Sequence, residues 1–121
     1  MTEPPPRPGQ AAEALVAEWL LSQGCSVVGR NVRLGHWELD IVAIEGRVVV
    51  VVEVRSRGPS SFTTPLSSLD MKKRQRTRRA GERLWNRRFR NDARVDRLRF
   101  DVASVVFGPA TPQLEYIRAA F

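Results

Sequence analysis

Apolar positions along the chain fall into two periods. Ala12, Leu15, Val16, Trp19 and Leu20 recur every three to four residues, one stripe of a helix predicted from Gly9 to Gln23 and stopped by Gly24. Shorter β-rich runs predict strands at Cys25–Gly29, His36–Ile44, Arg47–Arg55, Arg97–Phe107 and Gln113–Arg118. Val48 to Val52 is apolar on both faces, the pattern of a central strand covered on each side. Glu45-Gly46 is read as the tight turn of a hairpin joining the second and third strands. Residues 56–68, rich in Ser, Thr, Pro and Gly, are read as a loop. Asp70 then caps a long helix that runs to about Arg90, with Thr77, Ala80, Gly81 and Leu84 as its narrow inner stripe. The order αβββαββ describes an α/β domain, a mixed sheet with helices packed on it. Residues 1–8, with four prolines, read as a disordered tail ahead of one domain spanning 9–121.

Composition narrows the setting. A chain of 121 residues with 42% apolar residues builds one core, and no run approaches the roughly 20 residues of a membrane helix. With no export signal, one cysteine (Cys25) and one histidine (His36), neither an internal disulfide nor a zinc site is expected, and the expected address is the cytoplasm. The net charge of +7 is unevenly spread. Ten basic residues and one acid, Glu82, lie between Lys72 and Arg90, so the remainder is slightly acidic. Such a helix, carrying Lys72, Lys73, Arg74, Arg76, Arg78, Arg79 and Arg83, repels itself unless a polyanion is near. Nucleic acid is the leading partner, DNA ahead of RNA, and no membrane partner is expected. A merely solvated charged face is the plainer alternative. Lys73 falls on the inner stripe one turn early, aimed toward the sheet. Trp85 and Phe89 read as packing residues, and Arg33 suits either a phosphate contact or a loop anchor.

The hairpin supplies candidate chemistry. A symmetric turn at Glu45-Gly46 pairs Asp40 with Val51 and Glu38 with Glu53, the latter about 5 Å apart at Cβ, and puts Glu38, Asp40, Glu53 and Arg55 on one face. Like charges so placed destabilise a sheet, and an oxygen-rich cluster of this kind suits Mg²⁺ or Mn²⁺. Glu13 flanks the first helix's apolar stripe and borders the same spot, whereas Glu18 points to solvent. The alternative leaves Glu38 and Asp40 facing water on an edge strand. Glu53, following five valines, argues against it, because an acid there needs a partner.

The segments Asn31-Val32-Arg33, Trp37-Glu38-Leu39-Asp40-Ile41-Val42, Val52-Glu53-Val54-Arg55-Ser56-Arg57, the basic helix around Lys73, and Arg99-Phe100-Asp101-Val102 resemble the YraN-like family of small bacterial proteins. That resemblance implies a restriction-endonuclease-like, PD-(D/E)xK fold similar to Holliday-junction resolvases. It also implies metal-dependent hydrolysis of DNA phosphodiesters in repair or recombination, and a homodimer by analogy with those resolvases. Glu13, Asp40 and Glu53 would be the metal-binding acids, Glu38 an accompanying acid, and position 55 that of the motif's lysine. Two positions depart from the pattern: the glycine of the Gly-Glu-Ile-Asp segment is Trp37, and the lysine is Arg55. Arginine stabilises developing charge but does not act as a base. An alternative is therefore a binding adaptor that has lost catalysis, and a weaker one is an RNA- or ribosome-associated basic protein. Asp101, in an apolar strand, requires a partner that the sequence does not identify.

Overall fold

A computed structural model describes residues 8–57 and 71–121. The proline-rich tail up to residue 7, the bulk of the 56–68 loop and the Asp70 cap lie outside those residues. Pro8–Ser22 forms α1, the strands are β1 (Ser26–Leu34), β2 (Trp37–Glu45) and β3 (Val48–Arg57), and Met71–Leu84 forms α2. β4 (Arg97–Val106) and β5 (Gln113–Ile117) complete one five-stranded sheet in the order β1-β2-β3-β4-β5. The β3–β4 pair is parallel and its neighbours antiparallel, so the architecture is mixed α/β.

Each face of the sheet carries one helix. Ala12, Val16 and Leu20 of α1 pack with Ile41, Ala43, Val48, Val50, Val52 and Val105. Ala80 and Leu84 of α2 pack with Leu39, Val42, Val49, Val51 and Phe100 on the other side. β3 is thus enclosed on both faces, as its unbroken valines require. The inner stripe of α2 is Thr77, Ala80, Gly81 and Leu84, in agreement with its periodicity. Gly81 is there for proximity: a Cβ at this position would lie 2.5 Å from the Phe100 ring. The helix ends in one wide π-type turn, Trp85–Phe89, whose two rings stand 6.3 Å apart and pack on the α2-side core.

Two expectations about strands need correction. The hairpin turn is Gly46-Arg47, with Gly46 in the left-handed region (φ 60) and Glu45 paired with Val48. A positive φ at the first turn position suits glycine better than Glu45. The pairing therefore runs Val42↔Val51 and Ile41↔Val52, a register that brings Asp40 rather than Glu38 toward Glu53 just beyond the ladder's end. The slip is by two partners, so face assignments are preserved. β1 continues to Leu34, well past Gly29, through a bulge between Val27 and Gly29 and a positive φ at Asn31. These irregularities break the alternation that marks a strand.

Candidate functional site

The acids gather where β2 and β3 part. The last recorded rung between them is Ile41↔Val52, and beyond it the Asp40 carboxylate accepts a 2.9 Å hydrogen bond from the Val54 backbone N–H. Leu39 joins the core under α2 and Ile41 the core under α1, although residues two apart on a flat strand share a face. The strand rolls between them. Asp40 therefore sits at the roll, open to groups from both layers.

Glu53 is only 2% exposed, and its carboxyl also interacts with Asp40. Lys73 reaches down from the first turn of α2 and sets its Nζ 2.6 Å from Glu53 Oε1, as its place on the inner stripe predicts. Arg55 is farther from the same oxygen, at 3.9 Å. Glu13 is buried on α1, held loosely by Arg30 at 3.9 Å and bonded through its side chain to Asn31. Glu18 is exposed. Glu38 is exposed, pairs with Arg33 at 3.7 Å, and acts on Asp40 and Glu13 through its charge alone. The Arg33 side chain is 79% exposed, so this pair holds it only weakly.

Burial sets the electrostatics. Desolvation and the Asp40 charge push the Glu53 carboxyl up to about 7, with Lys73 opposing. Asp40 is raised by burial, opposed by the Val54 N–H and Lys73. Glu13 is raised by burial and then by Asp40. A carboxyl pair in this state retains a proton near neutrality because two adjacent charges cannot both be solvated.

Such a pair suits a divalent cation. Mg²⁺ keeps several waters and is held by one or two carboxylates, so Asp40 and Glu53 meet its requirement while Glu13 lies one layer away. Glu13 Oε2 is buried without a hydrogen bond and so retains accepting capacity, whereas Glu53 Oε1 is met by the Lys73 ammonium. Among the described residues no three Asp, Glu, His or Cys side chains converge tightly enough to hold a metal together. Asp40 and Glu53 interact directly, Glu13 acts on Asp40 through its charge, and Lys73 contacts Glu53.

Two clefts flank the acids. One, of about 230 Å³, is lined by His36, Trp37 and Glu38 from the sheet and Lys73, Arg76 and Thr77 from α2. The other, of about 460 Å³, lies on the α1 side between Gln10, Glu13, Asn31, Arg33 and Glu38. Lys72, Arg76, Arg79 and Arg83 are exposed along α2, and Lys73 and Arg74 are half-buried. Arg78 lies over Phe100 and Phe121, 5.3 and 6.0 Å from the ring centroids.

Asp101 is fully buried and its partners are now explicit. It accepts from Arg99, from the Tyr116 hydroxyl at 2.6 Å and from the Ala119 N–H at 2.9 Å. It pins β5 and the C-terminal turn to β4. That role was hidden in the sequence because every partner except Arg99 is remote along the chain.

The motif segments that hold these side chains also place the chain among known relatives. It belongs to the UPF0102 family, described as "Uncharacterised protein family UPF0102", whose model matches residues 12–105. A UPF0102 protein of Sorangium cellulosum is 47% identical over 114 residues, 93% of this chain and 79% of the relative. Those of Solibacter usitatus and Paenarthrobacter aurescens are each 40% identical, over 97% and 91% of this chain and 87% and 89% of theirs. Among the described residues no helix is long and apolar enough to cross a membrane.

Proposed function

We propose that this protein is a metal-dependent nuclease of restriction-endonuclease-like fold, hydrolysing DNA phosphodiesters in a cytoplasmic repair or recombination role. The observation that carries this reading is the pairing of half-buried Asp40 with buried Glu53, with an ammonium 2.6 Å from Glu53 at the foot of a basic helix. Asp40 and Glu53 would hold Mg²⁺ or Mn²⁺, with Glu13 completing the shell or orienting water. When bound, the ion polarises a phosphoryl oxygen and lowers the pKa of water. Burial of Glu53 shields its carboxyl from bulk solvent, while half-buried Asp40 stays reachable. The Val54 N–H fixes the orientation of Asp40. Arg55 offers a permanent positive charge to the developing phosphorane. The lysine that the motif places at position 55 has a counterpart in Lys73, which reaches the same glutamate from α2 more closely than Arg55 does. The cations of α2 hold the sugar–phosphate backbone.

Branched, single-stranded and duplex DNA incubated with Mn²⁺ should be cut, and chelator, Asp40→Ala or Lys73→Ala should abolish the cutting. Cleavage that survives Asp40→Ala, or no cleavage of any substrate, overturns the enzyme reading. Arg55 favours one second reading, a binding adaptor that has lost catalysis. Binding without cleavage in the wild type, with cleavage appearing in Arg55→Lys, would establish it.

A further inference from the structure

The cleft between Trp37 and α2 has no task in the chemistry above, yet it shares Glu38 and Lys73 with the acidic site. We propose that it receives one unpaired nucleobase of single-stranded DNA beside the scissile phosphate, with the Trp37 indole as its stacking platform. This rests on the nucleic-acid reading and narrows it to a substrate class.

Size is the first argument. About 230 Å³ equals the liquid volume of roughly seven or eight waters. It falls below the roughly 300 Å³ where sites for drug-sized molecules begin, and suits one planar heterocycle. A base held in a duplex cannot enter such a slot without leaving its stack.

The walls supply the second argument. Trp37 lines this cleft and a neighbouring one, whereas Arg83 lines only the neighbour. The Arg83 guanidinium stands 5.0 Å from the Trp37 ring centroid, so it backs the indole from the neighbouring side. Among the described residues no second cation stands over the indole, so its face toward the first cleft is available for a base to stack on. Glu38 is an acceptor for exocyclic amines, and His36 adds a polar edge, a set too sparse to read sequence. Lys73 and Arg76 on the opposite wall match the charge of the phosphates on either side of an inserted base. Solvation alone does not explain an aromatic platform in a cleft of about 230 Å³ with two cations on its opposite wall, one of them reaching buried Glu53.

The test uses the full chain in chelator, so that binding is read without cleavage. Anisotropy would be measured on a labelled single-stranded DNA oligonucleotide, a blunt duplex and an RNA of the same sequence, with Trp37→Ala and Trp37→Phe. Trp37→Ala should weaken single-strand binding by about 5- to 150-fold while changing duplex binding little, and Trp37→Phe should retain most of it. In the wild type, photocrosslinking of 5-iodouracil-substituted DNA should map to residue 37, a readout independent of whether the alanine variant folds. Equal losses on single strand and duplex, with crosslinks elsewhere, overturn the subsite and leave the nucleic-acid reading standing. Tighter binding to RNA overturns the DNA assignment. Binding to none of the three overturns the nucleic-acid reading itself.

Discussion

Replacing Glu53 with glutamine should make the protein more stable above neutral pH. The folded state raises this carboxyl from 4.5 to about 7, through burial first and the Asp40 charge second. Between those values the native chain keeps a proton that the unfolded chain has released. The unfolded state then binds fewer protons, so stability falls as pH rises from about 4.5 to about 7 and levels off above. At about 1.4 kcal/mol per pH unit of displacement, the loss for this one group is about 3 kcal/mol at most. Glutamine keeps the shape and has no charge to desolvate. Its drawback is the loss of the Lys73 pair, which is small because the lysine is 39% exposed. The net gain at pH 8 should be about 1–3 kcal/mol, several degrees in melting temperature for a domain of this size, and should shrink toward pH 5. Melting curves of wild type and Glu53→Gln from pH 5 to 8 measure it. Mn²⁺ at pH 8 should raise the wild-type melting temperature and leave the variant's nearly unchanged, because binding to the native state alone adds to its stability. Parallel pH profiles, or a variant less stable than wild type at pH 8, would refute the account of a strained carboxyl pair.

Lys73→Ala removes the cation that opposes protonation of Glu53, so the pH-dependent loss of stability should extend to higher pH in the same melting series. An unchanged profile would deny the ion pair its weight. Asp101→Ala should cost about 1–3 kcal/mol in urea unfolding, since it leaves the Tyr116 hydroxyl and the Ala119 N–H without their acceptor while Arg99 keeps Glu45. Arg76→Ala should reduce the slope of log affinity against log salt by about 0.7 on single-stranded DNA, the loss of one phosphate contact. An unchanged slope would place the strand elsewhere.

The sequence announced the site's faces better than its distances. Alternation alone puts Asp40 and Glu53 on one side, and a turn misplaced by one residue preserves that parity. The same error exchanges Glu38 for Asp40 as the neighbour of Glu53, because turn geometry depends on which residue accepts a positive φ, and Gly46 does so at the first position. The stripe of α2 was legible, Lys73 included, since helical phase is rigid over three turns. The π-type turn after Leu84 left no mark in the pattern, being set by packing of Trp85 and Phe89 on the core. The roll at Asp40 was equally hidden. It shows only in three dimensions, where Leu39 and Ile41, two apart, enter opposite layers.

A missing side chain on α2 reaches further than its own contact. With only hydrogen at Gly81, the helix backbone lies almost on the Phe100 ring. A helix is a stiff rod, so this clearance fixes how high the rod rides along its length. Two turns upstream, that height decides whether the Lys73 amine can touch Glu53. Glycine at 81 is thus a shim for an electrostatic contact in which it takes no part, and thickening it would tilt the charged arm away from the acids.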